Sequence, residues 1–338
     1  MRNIVYLLGA GFSAPLGLPT IGNFYWKAKD LYESEPVKFA HFSKSFELMD
    51  SFGRLKTFMK ADLENIEEIL SILEMVEALS SEPSSKLFSK FISDVIIAYT
   101  PEMPPPEVAD DALDPNVLRF FGKDALASSY CVFVAQILAL RSPRRLEEKW
   151  RFERGEPSAH YSVVNLNYDR VLESACEYIQ RHYPQKPPLR FYDPVSKIKP
   201  GATDVMLAKL HGSVTTEIVP PTWNKKIHKS ILPAWQGAFD EVAKANELRF
   251  IGYSLPETDS YFRYFLKAAI SKSFNLQRVD VLCSGNVGQR YQQLFEPTRL
   301  RFNSGTTEEY LRQLANHAKA GALDALEQTH RKIFPRSS

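Results

Sequence analysis

Five short clusters hold the residue types from which a site for binding phosphates or cleaving a polar bond can be built. They are Gly9-Ala10-Gly11-Phe12-Ser13, Asn167-Tyr168-Asp169, His211-Gly212, Gly252-Tyr253-Ser254 and Ser284-Gly285-Asn286. In the first, two glycines let the backbone turn tightly and bring amide N–H groups up to a pyrophosphate. Asn167 and Asp169 offer an amide and a carboxylate, although both types are also common turn and helix-cap residues. His211 offers an imidazole that titrates near neutral pH, although a histidine before glycine is often a satisfied turn residue. The glycine turn has its own plain reading, since strand-to-glycine turns also serve close packing in α/β proteins. Order and register at successive strand ends raise the five together.

The elements that must position them are short apolar runs. Ile4 to Leu8 leads directly into the first glycine, as a buried parallel strand does. Tyr161 to Leu166 ends at Asn167, Val205 to Leu210 at His211, Leu248 to Ile251 at Gly252, and Val279 to Cys283 at Ser284. Leu300 to Phe302 reads as a last short strand. Helical text lies between them, over Arg170 to Arg181, Asp259 to about Lys272 and Thr307 to Lys319. Alternating strands and helices predict a Rossmann-like, doubly wound parallel α/β sheet, and such sheets bind ligands beyond the carboxyl ends of their strands.

Residues 23–155 read as a large helical insertion after the first strand, forming a second, smaller subdomain. Its clearest helix follows Asp62, with Leu63, Ile66, Leu70, Leu73 and Val76 on one buried stripe. Glu64, Glu67, Glu68, Glu74 and Glu77 fall mostly off that stripe and read as a solvated face. Helices are expected over Leu87 to Tyr99 and Val117 to Leu140. Between them Thr100 to Pro115, with five prolines, reads as a surface loop. The expected organisation is a catalytic α/β domain of residues 1–22 and 156–322, the insertion 23–155, and a C-terminal helix and tail 323–338.

Composition narrows the function. The 338 residues hold 42 Lys and Arg against 40 Asp and Glu, so no strong field announces a polyanionic partner, and direct nucleic-acid binding is not expected. Cys131, Cys176 and Cys283 are far apart in apolar contexts, which suits reduced core thiols and excludes a C-x-x-C zinc ribbon. No run approaches a membrane span and no signal-peptide pattern opens the chain, so a cytoplasmic protein is expected.

The opening turn formally matches the G-x-G-x-x-A fingerprint of dinucleotide dehydrogenases. Pro15 and Gly17-Leu18-Pro19 leave room for barely one helical turn, however, and no strand ending in an acid follows about 20 residues on. Hydride transfer is therefore disfavoured. The ordered set instead resembles the sirtuin family. Asn167-Tyr168-Asp169, Lys209-Leu210-His211-Gly212-Ser213 and Gly252-Tyr253-Ser254-Leu255-Pro256, with Asp259 and Phe262-Arg263, resemble its bacterial SIR2-like branch, whose members include NAD-consuming effectors of antiphage defence.

The resemblance implies an enzyme that cleaves NAD+ at the bond between nicotinamide and ribose. Gly9, Ala10, Gly11 and Ser13 would cradle the phosphates and nearby ribose, Gly252 and Ser254 would flank the phosphates, and Asn286 would meet the adenosine ribose. Asn167 would orient water or the nicotinamide ribose, Asp169 would hold the carboxamide, and His211 would be the general base. Sirtuin deacylases carry a four-cysteine zinc module after the His-Gly position, whereas Val214 to Asn246 contains no cysteine. Water is then favoured over acetyl-lysine as acceptor, and the expected activity is NAD+ glycohydrolysis without a metal. Because unregulated NAD+ loss would poison a host, gating by self-association or a regulatory protein partner is expected. The rival readings are a protein deacylase or ADP-ribosyltransferase, and a non-enzymatic NAD or ADP-ribose-binding subunit. Trp223 and Trp235, in the stretch without cysteine, read as core or lid anchors, and Pro220-Pro221 and Pro233 read as irregular surface structure there.

Overall fold

Every side chain from Val5 to Leu8 is buried, and this run lies at the centre of a parallel sheet. In the computed structural model the described residues are 1–60, 62–80, 85–106, 120–122, 124–141, 144–146, 149–201, 203–219, 228–256, 259–320 and 324–335. Their strands are β1 (Asn3–Leu8), β2 (Arg144–Leu146), β3 (Lys149–Arg151), β4 (His160–Asn165), β5 (Phe191–Tyr192), β6 (Val205–Lys209), β7 (Glu247–Ile251), β8 (Arg278–Leu282) and β9 (Leu300–Asn303). Seven of these form one sheet in the order β5-β6-β4-β1-β7-β8-β9, with every pairing parallel. The chain builds outward from β1 on one side through β4 to β6, then crosses back to place β7 on the other side. The switch point therefore lies at β1, where neighbouring loops diverge and leave a crevice.

The helices in chain order are α1 (Ala10–Ser13), α2 (Phe24–Ser34), α3 (Phe42–Ser51), α4 (Leu55–Phe58), α5 (Ile66–Ser80), α6 (Ser85–Tyr99) and α7 (Ala125–Ile137). They continue with α8 (Val171–His182), α9 (Leu232–Lys244), α10 (Ser260–Ile270), α11 (Gly288–Gln292), α12 (Thr307–Lys319) and α13 (Ala325–Ile333). Because strand side chains alternate, Ile4, Tyr6 and Leu8 face one layer while Val5 and Leu7 face the other. The first layer is continuous from α2, α3, α5 and α6 through α7 and α8 to α12 and α13. The second consists of α9, α10 and α11.

The expected doubly wound sheet is present, with helices inserted between β1 and β4. Several elements differ from their expected form. Residues 144–151 contain the antiparallel pair β2 and β3 within the stretch read as all helical. Helix α7 spans Ala125–Ile137 within the expected stretch; before it Gly122 takes a left-handed φ of 101°, and the Asp124 carboxylate caps the amides of Leu126 and Ala127. The last turn of this helix precedes Ser142-Pro143, which lies outside the described residues, as do positions 107–115 of the proline-rich loop, residues 117–119, Pro220-Pro221 and Trp223. Pro233 does not mark irregular structure: it sits in the first turn of α9, where its missing N–H has no intrahelical partner to lose. Trp235 is a core anchor, 5% exposed, and its indole N–H donates to the carbonyl of Leu210 at 2.9 Å. The three cysteines are buried free thiols.

A layer of charge lies under α13. Arg249, 1% exposed, donates to Glu327 at 2.6 Å, to Tyr6 Oη at 2.8 Å and to Glu247 at 2.8 Å. Arg278 and Arg301 hold Asp280, which also accepts from His330 Nε2 at 2.8 Å. Glu247, Asp280 and His330 converge within 4.8 Å. Guanidinium groups engage both carboxylates, so this is an ion-pair network that fixes the C-terminal helix to the sheet.

Candidate functional site

Beyond the carboxyl ends of β1, β4, β6, β7 and β8 lies a cleft of about 290 Å³. That volume is at the lower end of ligand pockets, roughly 300–1,000 Å³. Gly9, Ala10, Gly11, Asn167, Asp169, His211, Gly252 and Ser254 all line it. Ser13 is buried directly behind Asn167, and Asn286 is exposed beyond Ser284 and does not line the cleft.

The turn after β1 is packed against the turn after β7. Gly9 N–H donates to Ile251 O at 3.1 Å, and Gly11 N–H to Gly252 O at 2.9 Å. A Cβ on Gly11 would stand 2.8 Å from Gly252 O, and one on Gly9 2.6 Å from Tyr253 Cα. Gly252 itself has a φ of 65°, so it meets two demands that only glycine satisfies together. The packing role of these glycines is therefore visible in the geometry, and the Gly9 and Gly11 amides already have partners. Helix α1 has four residues and ends at the 3-10 turn containing Pro15, with Gly17 left-handed at φ 90°. The short helix expected from Pro15 and Gly17 is what forms.

Asn167 reaches across from β4. Its Nδ2 donates to Gly9 O at 2.9 Å and lies 3.4 Å from Ser13 Oγ. A carbonyl can only accept, so this bond fixes the amide orientation and leaves Oδ1 to accept from a ligand. Asp169, one position before the Arg170 N-cap of α8, accepts from Val171 N–H at 3.0 Å, so the turn reading of this residue holds alongside its place in the cleft. Burial raises the Asp169 carboxyl above its usual range, against the pull of the Lys209 charge, the Val171 amide and Ser13. Lys209 in turn donates to the Asp169 carbonyl and to Glu173 at 3.2 Å.

His211 is 4% exposed, at the edge of a tight return in which Val219 N–H donates to His211 O at 2.9 Å. Gly212 makes that return possible with a φ of 74° and the backbone of Glu217 packed against it. The ring stands edge-on to Trp235 at 6.1 Å between centroids. Burial lowers its basicity below that of a free histidine, although the charge of Asp259 opposes the shift. It is thus the neutral imidazole at pH 7, the form able to accept a proton.

Two cleft residues were not among those expected. Asp259 is 2% exposed, caps α10 through Phe262 N–H at 3.1 Å and accepts from Tyr253 Oη at 2.6 Å. Glu67 was read as solvated, and the structure corrects this. It lines the cleft from the first turn of α5, which the Asn65 side chain caps by accepting from the Glu67 amide at 3.0 Å. Surrounding protein and the Asp259 charge push its carboxyl up to about 8, even though the cleft gives it partial exposure. Helical spacing alone does not single it out, since Glu74 and Glu77 stand equally close to stripe residues Leu70 and Leu73.

Residues 161–301, from β4 to β9, match the family model of the SIR2-like domain. No curated protein sequence matches the chain. Among solved structures, Sir2Tm bound to a propionylated peptide is similar at 13% identity over 95% of this chain and 94% of that one, with a TM-score of 0.37. A complex of Sir2, a p53 peptide and NAD+ is similar at 14% identity over 94% of each chain, with a TM-score of 0.35.

Proposed function

We propose that this chain uses its SIR2-like domain to hydrolyse NAD+ to nicotinamide and ADP-ribose. The observation that carries the reading is the convergence of Asn167, Asp169 and a neutral His211, from two different strand ends, on one cleft closed by the Gly9 and Gly252 turns. Asp169 holds the carboxamide of nicotinamide. Asn167 Oδ1 accepts from a ribose hydroxyl or from the attacking water. The glycosidic C–N bond breaks with its electron pair leaving on nicotinamide, and the resulting oxocarbenium-like ribose carbon takes a water oxygen. His211 accepts the proton released, so the balance is NAD+ plus water giving nicotinamide, ADP-ribose and a proton. The cleft is large enough for the reacting end of the dinucleotide, with the diphosphate toward Ser254 and the Gly9 to Ser13 turn.

The return from His211 to Val219 spans nine residues without cysteine, and this favours water over an acyl-lysine as acceptor. On this reading the protein is an NAD+-depleting effector of bacterial antiphage defence, gated by self-association or a regulatory protein. Incubation with NAD+, with and without an acetylated peptide, tests the proposal by release of nicotinamide and ADP-ribose. Release without peptide, lost in folded Asn167→Ala and His211→Ala variants, is expected. Peptide-dependent turnover would replace hydrolysis by group transfer, and tight NAD+ binding without turnover under any partner or concentration would refute the enzyme.

A further inference from the structure

The cleft is one-sided in charge. Its described lining contains three carboxyl groups, on Glu67, Asp169 and Asp259, and no lysine or arginine. Two of the three are held by the protein, Asp169 by the Val171 amide and Asp259 by Tyr253 Oη and the Phe262 amide. Among the described residues the Glu67 carboxyl has no hydrogen-bond or ion-pair partner, although its own backbone is capped by Asn65. The groups around it are Asp259 before α10, Tyr168 after β4 and Tyr253 after β7, and His211, after β6, lines the same cleft. None of them is a cation at neutral pH, since burial keeps the imidazole of His211 neutral.

Such an arrangement is unfavourable to folding. An unpaired carboxyl beside a second carboxylate is destabilised in its charged form, and burial with the Asp259 charge pushes the Glu67 carboxyl up to about 8. A positive group placed in that space reverses the situation, because it attracts both carboxylates and favours ionisation of the first. A neutral or anionic group gains nothing comparable.

We infer that Glu67 and Asp259 make this cleft selective for a cationic aromatic ring, the N-substituted pyridinium of an oxidised nicotinamide nucleotide. This rests on the proposed NAD+ reading and adds to it the residue that tells the oxidised ring from a neutral one. Glu67 releases its proton to solvent as the ring binds, so the bound pair is carboxylate and pyridinium with charge balanced.

The test uses two small probes, N1-methylnicotinamide, a cation, and nicotinamide, which is neutral. Their affinities for the full chain are measured calorimetrically at pH 7 in two buffers of different ionisation heat. The expected result is a preference of about tenfold or more for the cation, equivalent to one decade in Kd, with uptake of a proton by the buffer. Glu67→Gln should bring the two affinities together and abolish the proton release without weakening nicotinamide, while Glu67→Asp should retain the preference. Equal affinities in the unaltered protein, binding of neither probe, or a preference that survives in Glu67→Gln overturns the inference. Nicotinamide release from NAD+ is read separately, so a chain that prefers the cation but never turns over refutes hydrolysis alone.

Discussion

The Nδ2 of Asn167 donates to the backbone oxygen of Gly9 at 2.9 Å, across 158 positions of sequence. This bond ties the loop after β4 to the loop after β1, so one side chain both shapes the cleft wall and presents its Oδ1 to a ligand. Asn167→Ala should therefore abolish turnover and cost about 1–2 kcal/mol of stability, the loss of one buried hydrogen bond. Asn167→Asp should be worse for stability than Ala, because a carboxylate would face the Gly9 carbonyl with no proton to give. Chemical denaturation of the three proteins checks the order.

His211→Ala should lower the rate by about 10²–10⁴, the usual contribution of a general base, in a protein that keeps its secondary structure. The base must be neutral to act. Because burial lowers its basicity below the ordinary 6.5, activity should persist into mildly acidic solution. The acid limb of the kcat/KM profile should have its midpoint below that value. A midpoint above it would remove His211 from the role.

The two glycine turns can be separated by substitution. Gly252→Ala adds a methyl group against the backbone of Gly11 and Phe12 and forces a left-handed alanine, at a cost of about 3–5 kcal/mol. Gly285→Ala, at φ 89° with nothing within 4 Å, carries only the conformational term of about 1–2 kcal/mol. Equal destabilisation of the two variants would refute the packing role of Gly252.

Glu67 should reveal itself through stability. Its folded value of about 8 lies above the ordinary 4.5, so the folded chain keeps a proton that the unfolded chain gives up. That contribution is fully present below pH 4.5 and is lost as pH rises through 8. Glu67→Gln has no such loss, and should be more stable than the parent by about 1–3 kcal/mol at pH 8.5, a figure reduced for solvent in the cleft, with little difference at pH 4.5. Denaturant midpoints at the two pH values measure it.

The network under α13 sets the acid limit. His330 has a folded value of about 4 against an ordinary 6.5, chiefly through burial and the nearby Arg249 charge. The unfolded chain takes up the proton first, so stability complete above pH 6.5 is lost as pH falls towards 4, by about 3 kcal/mol. Glu327, at about 2 against 4.5, adds a second loss between those values. His330→Gln should flatten the stability profile between pH 6.5 and 4 while leaving the steeper fall below it.

The pattern of apolar runs located six of the sheet's seven strands. Ile4 to Leu8, Tyr161 to Leu166 and Leu248 to Ile251 are short, apolar and followed by glycine or amide residues, a signal carried within a few positions and shifted by at most a residue or so in β1, β4 and β7. The same local logic found α12, whose bounds agree at both ends, and the clusters at the strand ends. Helix α9 was hidden by reading Pro233 as a breaker, and β5 was too short, at two residues, to show a period.

What the sequence by itself determined about this protein is which residues stand at the carboxyl ends of parallel strands, because alternation and glycine turns are local properties. What only the tertiary structure decided is which distant groups face them. Glu67 looked solvated because helical periodicity reports the angle of a side chain around its own axis, not the wall opposite it. Folding brings α5 over the switch point at β1, and there the carboxyl meets Asp259 from the far side of the chain. The turn after β1 likewise shows its close partner, Gly252, only when β7 returns to lie beside β1. Charge and close backbone contact are properties of a place in space, and the fold makes that place from five strand ends.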